Sequence, residues 1–177
     1  MIPARVTNHL KKKNVPYKIV EHKKVYTTFD LGQTLGEKLN KIVKTLLIKG
    51  DKRYVLVAVP ASARLDLNKI KKAIKAKAVE IAKEPAVQKI LKVKPGTVVP
   101  FGGLHGLEVV FDKALIRAKE VIVRAGSLTE SLRMNVKDLH SLENVSVADV
   151  AKKIIKVAAK VVKKVKSAKK SSAKKKK

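Results

Sequence analysis

The chain predicts an α+β fold in which a mixed β-sheet is flanked by helices. Strand-length apolar runs alternate along it with stretches of helical period. Two of the runs, Val43–Ile48 and Tyr54–Pro60, are separated only by Lys49-Gly50-Asp51-Lys52-Arg53, which suits a hairpin. Others are separated by helical stretches, which suits crossovers, so the sheet should be neither purely parallel nor purely antiparallel. With 177 residues there is room for one domain with its own core and an extension.

The elements follow in order. Residues 3–13 predict a short helix, with Val6, His9 and Leu10 on one face and Lys11–Lys13 at the end where cations suit the dipole. Asn14-Val15-Pro16 stops it, and Tyr17–Glu21 then alternates as a strand does. Asp30–Leu39 reads as a helix through Leu31, Leu35 and Leu39. After the hairpin, Asp66 introduces a helix over Leu67–Lys75 with Leu67, Ile70 and Ile74 at helical spacing. Val79–Ile81 is a short strand, and Glu84–Val93 a helix that turns Val87, Ile90 and Leu91 inward. Leu107–Phe111 and Glu120–Ala125 are strands, with a helical turn over Lys113–Ala118 between them. A final helix starts near Ser146 or Ala148, with Val150, Ile154, Val161 and Val165 on one apolar stripe and lysines elsewhere. Beyond Lys166 no periodic apolar residue remains, and disorder is expected. The chain therefore divides into a domain over 1–148, a basic amphipathic helix over 149–166 and a disordered lysine-rich tail over 167–177.

Charge narrows the partner. Lys and Arg total 42 against 14 acids, a net charge of +28. Residues 152–177 hold 13 lysines and no acid, so the other 29 basic residues face all 14 acids, and the body is still +15. A polyanion is the natural partner of both parts. Cysteine is absent, which removes disulfides, thiolate nucleophiles and Cys-bearing zinc sites. No apolar run approaches the roughly 20 residues of a membrane span. The start, Met1-Ile2-Pro3-Ala4-Arg5, has no hydrophobic signal core, so a cytoplasmic protein is expected.

Two features point to a site. Lys94–Gly106 holds two prolines and four glycines in thirteen residues, far more than a plain turn requires, and reads as a ligand loop. Lys44 is a cation embedded in Ile42-Val43-Lys44-Thr45-Leu46-Leu47-Ile48. It is either a strand-end lysine whose stem snorkels to water or a fixed ammonium in a cleft. His9, His22, His105 and His140 are scattered without ligand spacing, and no nucleophile elbow or phosphate-loop motif is present. Ser127, after Gly126 at a strand end, suits a pocket hydroxyl or a plain turn.

These motifs, in order, resemble the YbaK family: the editing domain of bacterial prolyl-tRNA synthetases and its free-standing relatives, which hydrolyse mischarged aminoacyl-tRNAs. The matching stretches are Tyr17–Thr28, Lys44–Lys49, Gly96–Gly102, Val109–Asp112 and Ala125–Met134, covering about residues 5–145. The resemblance implies a mixed, barrel-like sheet covered by helices. It implies a trans-editing deacylase that removes a small amino acid (Ala, Ser, Thr or Cys) from tRNA, without a cofactor. Lys44, Gly96 and Pro100 would be catalytic. Tyr26, Thr27, Thr45, Phe101, Gly102, Gly126 and Ser127 would bind substrate. Where some relatives carry an Asp after that serine, this chain has Arg133-Met134.

The ester is already activated, so orientation and oxyanion stabilisation suffice, with water or the substrate's own 2′-hydroxyl attacking. Lys152, Lys153, Lys156, Lys160, Lys163 and Lys164 are expected to contact tRNA, with a synthetase as a partner in trans. The competing readings are a non-catalytic RNA-binding module on the same fold and an architectural nucleic-acid binder.

Overall fold

Side-chain caps from Thr27, Asp66 and Asp112 start three helices, and left-handed Gly36 and Lys92 end two. The computed structural model describes residues 1–143 and 145–153. Helix α1 (Ala4–Lys12) buries Val6 and Leu10 and leads to strand β1 (Lys18–Glu21). Helix α2 (Thr28–Leu35) starts where the Thr27 hydroxyl accepts the Asp30 N–H at 3.0 Å. It ends four residues before the expected Leu39, because Gly36 turns left-handed at φ +65.

Strands β2 (Val43–Gly50) and β3 (Arg53–Pro60) form the expected hairpin, pairing from Val43–Pro60 to Gly50–Arg53. The strands run further into the polar connection than the apolar runs suggested, leaving only Asp51 and Lys52 as the turn, with Asp51 at φ +54. Strand β4 (Ala63–Leu65) follows, then α3 (Leu67–Ala73), whose first N–H groups are capped by Asp66. Strand β5 (Val79–Ile81) and helix α4 (Glu84–Leu91) deliver the chain into the Gly/Pro loop.

Strand β6 (Glu108–Asp112) runs directly into the short helix α5 (Lys113–Ile116). One oxygen of Asp112 accepts the Ala114 N–H and the other the Val150 N–H, each at 2.9 Å, so this motif residue ties two chain segments together. Strands β7 (Glu120–Arg124) and β8 (Glu130–Asn135), helix α6 (Val136–Leu142) and strands β9 (Val145–Ala148) and β10 (Ala151–Lys153) complete the described chain.

The main sheet has the order β5-β2-β3-β6-β9, antiparallel over the first three strands and parallel over the last three. A second, antiparallel sheet has the order β1-β8-β7, and β4 pairs with β10. A bridge between Ile42 and Ile122 joins the neighbourhoods of the two larger sheets. The mixed α+β architecture is as expected, but these sheets do not close into a barrel among the described residues.

Both faces of the main sheet are covered. One packs Val43, Leu47, Leu56 and Phe111 with α1, α6, Phe101 and β7 and β8; the other packs Ile48, Val57, Val59 and Val110 on Ile70 of α3 and on Ile74 just after it. Two-sided burial explains why Val55–Pro60 reads as an unbroken apolar run, with all six residues buried. Truncating a fully buried aromatic such as Phe111 to Ala would cost about 3–5 kcal/mol.

The expected helix over 149–166 does not begin there. Ala151–Lys153 is a strand paired with β4, and the Val150 N–H just before it is taken by Asp112. The rest of that expectation, and the tail over 167–177, lies outside the described residues.

Candidate active site

Three consecutive residues of β2, Lys44, Thr45 and Leu46, line a cavity of about 230 Å³. Successive strand residues face opposite ways, so a cavity touching three in a row lies along the strand's edge. That edge is open because β5 pairs only with Ile48–Gly50. The other walls are Tyr26, Thr27 and Thr28 from the strap before α2, Gly96 and Val98 from the Gly/Pro loop, and Arg124 from the end of β7.

Lys44 is half-buried, and its Nζ donates to the Ala63 carbonyl at 2.7 Å. Burial first, and Arg64 second, push its pKa below the ordinary lysine value. Among the described residues no carboxylate lies within ion-pair distance of it. This is a held ammonium, not a stem reaching for water. Ala63 also lines a larger groove of about 600 Å³, rimmed by Lys69, Lys113, Arg117 and Lys152 with Asp112 and Asp149 among them, so Lys44 sits between the cavity and a surface where cations outnumber acids.

Gly96 stands at φ +80, and an added Cβ would collide with the Tyr26 carbonyl. Loop and strap therefore meet backbone to backbone, a contact only glycine allows. The strap is anchored from below by Val25, which packs with Leu31, Ile42 and Ile122.

Of the residues expected from sequence, Lys44, Gly96, Tyr26, Thr27 and Thr45 come together on this cavity. Phe101, Gly102 and Pro100 do not line it. Phe101 is fully buried in the core and tilts against His9 at 6.1 Å between ring centroids. The second half of the Gly/Pro loop thus serves packing. Gly126 and Ser127 also lie off the cavity wall; the Ser127 hydroxyl accepts the Thr129 N–H at 3.2 Å, the plain-turn role. Lys152 sits on the basic groove, 3.4 Å from Asp66. Lys153 pairs with Ala63 in the ladder, and Lys156, Lys160, Lys163 and Lys164 lie outside the described residues. His22 is tied to Ser131 and to the Lys23 carbonyl, a structural role.

Sequence reading missed Leu46, Val98 and Arg124. Arg124 is the consequential one: it is 3% exposed. Its Nη2 donates to the carbonyls of Val25 and Thr27 at 3.3 and 3.0 Å, while Nε and Nη1 are buried with no partner among the described residues. Burial pushes its pKa down, with Asp30 opposing. The signal was the one that marked Lys44, a cation at an apolar strand run (Val121-Ile122-Val123-Arg124). Arg133, where some YbaK relatives have Asp, lies in β8 and pairs with Glu37 and Glu120 at 2.7 and 3.2 Å.

Residues 22–142 match the family described as the aminoacyl-tRNA editing domain. The prolyl-tRNA editing protein ProX of Acetoanaerobium sticklandii is 31% identical over 135 residues, which is 72% of this chain and 82% of ProX. A proline--tRNA ligase of Thermosipho melanesiensis is 29% identical over 59% of this chain, but the chain spans only 18% of that ligase. A solved structure described as a candidate trans-editing enzyme for prolyl tRNA synthetase superposes with a TM-score of 0.74 at 27% identity, covering 84% of this chain and 95% of its own. With a match across most of its folded length, the chain belongs to the aminoacyl-tRNA editing domain family and so to the aminoacyl-tRNA deacylases.

Proposed function

We propose that the chain is a trans-editing enzyme that hydrolyses the ester of a mischarged tRNA carrying a small amino acid, and that the cavity around Lys44 is where it does so. The observation that carries this reading is a half-buried ammonium, held by a carbonyl and free of any described carboxylate, in a cavity of about 230 Å³. Leu46 and Val98 give that cavity an apolar wall, and its size favours a short acyl side chain (Ala, Ser, Thr or Cys).

Among the described residues no Cys, His or acid lines the cavity, so the attacking hydroxyl comes from water or from the substrate's own 2′-oxygen. Where water attacks, it adds to the ester carbonyl, and the oxyanion that forms is stabilised by the Lys44 ammonium and by backbone N–H groups of the Gly96 loop. Collapse of the intermediate breaks the bond to the ribose oxygen, which takes a proton. Free amino acid and intact tRNA leave. The loop's backbone reaches this position because Gly96 carries no side chain.

The groove beside Lys44 would track the tRNA backbone and the lysines of residues 154–177 would add charge to that contact, with the charging synthetase a partner in trans. Deleting residues 154–177 removes 11 lysines and spares β10. The logarithmic salt slope of RNA binding should then fall by roughly 0.7–0.9 for each phosphate that the shortened protein no longer neutralises. An unchanged slope in a salt titration would leave those lysines without an RNA role.

The deciding experiment is deacylation of Ala-, Ser-, Thr- and Cys-charged proline- and alanine-type tRNAs by wild type and Lys44→Ala. Turnover of one or two substrates, reduced about 10²–10³-fold in the variant, is expected for loss of an oxyanion-stabilising group. No turnover on any substrate, with salt-sensitive RNA binding that survives Lys44→Ala, would make the protein a binding module.

A further inference from the structure

An exposed ring stands at the rim of the cavity on an unusually fixed piece of backbone. The chain has three Tyr and three Phe and no Trp. Phe101 and Phe111 are fully buried, and Tyr17 and Tyr54 pack against the core. Tyr26 and Phe29 remain outside, 57% and 53% exposed, three residues apart. Only Tyr26 of the two also lines the cavity that holds Lys44.

The backbone beneath Tyr26 is pinned on both flanks. Arg124 donates to the carbonyl before it (Val25) and to the carbonyl after it (Thr27), and Gly96 abuts its own carbonyl. Val25 is buried, and Thr27 caps α2. A desolvated guanidinium is an expensive way to fix a surface loop. Fixing it pre-organises whatever that loop presents, which is an aromatic face beside a cationic cavity. The Lys24 ammonium stands over the ring, 5.4 Å from its centroid, so it puts a cation at the same place and a stacked base takes the opposite face or displaces it. Single-stranded RNA is held by this combination: a base stacked on an aromatic ring with cations along the backbone.

We propose that Tyr26 is the stacking seat for the terminal nucleobase of the RNA substrate, with Arg124 and Gly96 as the residues that position it. This rests on the deacylase reading and adds to it which residue holds the base while the ester lies over Lys44. Stacking tolerates any base, so the seat contributes affinity and register; the cavity behind it selects the acyl group.

Because the chain has no tryptophan, Tyr26→Trp gives a full-length protein with one reporter at the seat. Uncharged single-stranded RNA ending in CCA should quench its emission saturably. The same RNA with an abasic terminal nucleotide should need at least about fivefold more, and AMP more still. In deacylation assays, Tyr26→Ala should raise KM roughly five- to hundredfold, the loss a stacked base is worth, with a smaller change in kcat. Equal quenching by the abasic RNA, or an unchanged KM, would overturn the proposal. AMP binding as tightly as the RNA would assign the seat to a free nucleotide and overturn it too. Base-dependent quenching in a protein that hydrolyses no charged tRNA would instead fault the deacylase reading and leave the seat standing.

Discussion

Arg124 and Arg133 stand two rungs apart on neighbouring strands, and the fold treats them in opposite ways. In the β7–β8 ladder Arg124 faces Ser131 and Arg133 faces Ile122. Arg133 is neutralised by Glu37 and Glu120 and stays partly open to solvent. Among the described residues Arg124 is buried, meets only backbone carbonyls, and leaves two nitrogens unpaired. Lys44 resembles it: half-buried, bonded to a carbonyl, with no acid beside it among the described residues. Where a cation serves only the sheet, the chain supplies a carboxylate. Where carbonyls alone hold it, the charge stays uncompensated and available to an anionic or oxygen-rich ligand.

Substituting the two arginines is the strongest way to break that comparison. Arg124→Met removes a buried, uncompensated charge, which offsets part of the about 1–3 kcal/mol lost when the Val25 carbonyl gives up its donor. Its effect should fall on activity, about 10²-fold in kcat/KM, because the Tyr26 strap is no longer held in register. Arg133→Met should do the reverse. Activity should stay within about twofold, while losing the pairs costs on the order of 1 kcal/mol, or about 2–4 °C in Tm. Kinetics and thermal melts of both variants decide it. An Arg124→Met protein with full activity would remove the distinction.

Gly96→Ala tests the same strap from its other side. The added methyl meets the Tyr26 carbonyl, and φ +80 is strained for alanine by about 1–2 kcal/mol. A loss of roughly ten- to hundredfold in kcat/KM is expected, larger than the stability change alone would give. Gly36→Ala is the control, since that glycine is also left-handed but has open space around it. It should lower Tm and spare turnover.

How much of this was legible beforehand differs between fold and site. The β2–β3 hairpin was readable because its residues are buried on both faces, and the α3 start because Asp66 caps it. Strand β8 was not. Ser131 is as fully buried as Leu132, so the alternation that marks a strand is broken. Strands β4 and β10 have three residues each, too short for any period to register. At the site, Lys44 stands out as a cation in an apolar run and Lys94–Gly106 as a ligand loop, while the choice of Gly96 within that loop comes from the resemblance to the YbaK family. Phe101 was misplaced because dense Gly and Pro mark a loop's geometry and not which half of it meets a ligand. Arg124 carried the same signal as Lys44, but a strand-end arginine is ordinarily solvated, and only the packing of Val25 and Thr27 over it shows otherwise.

The smallest expected effect sharpens the paired side of the comparison. The Arg133 hydrogen bond, against burial and with help from the charges of Arg133 and Lys41, holds the Glu37 carboxyl below its ordinary value. A carboxylate whose folded pKa is depressed contributes stability that is full above its unfolded value, near 4.5, and is lost as pH falls through the lower folded value. Glu37→Gln abolishes that contribution. Near pH 7 the variant should be slightly less stable than wild type, by under about 1 kcal/mol for so exposed a pair. Below pH 4.5 the two unfolding curves should converge, because wild type loses there what the variant never had. Equal slopes of stability against pH for both proteins between pH 5 and 3 would mean that Glu37 does not compensate Arg133. Arg133 would then be left with Glu120 alone, and pairing would separate the structural arginine from the one at the cavity by a single exposed contact.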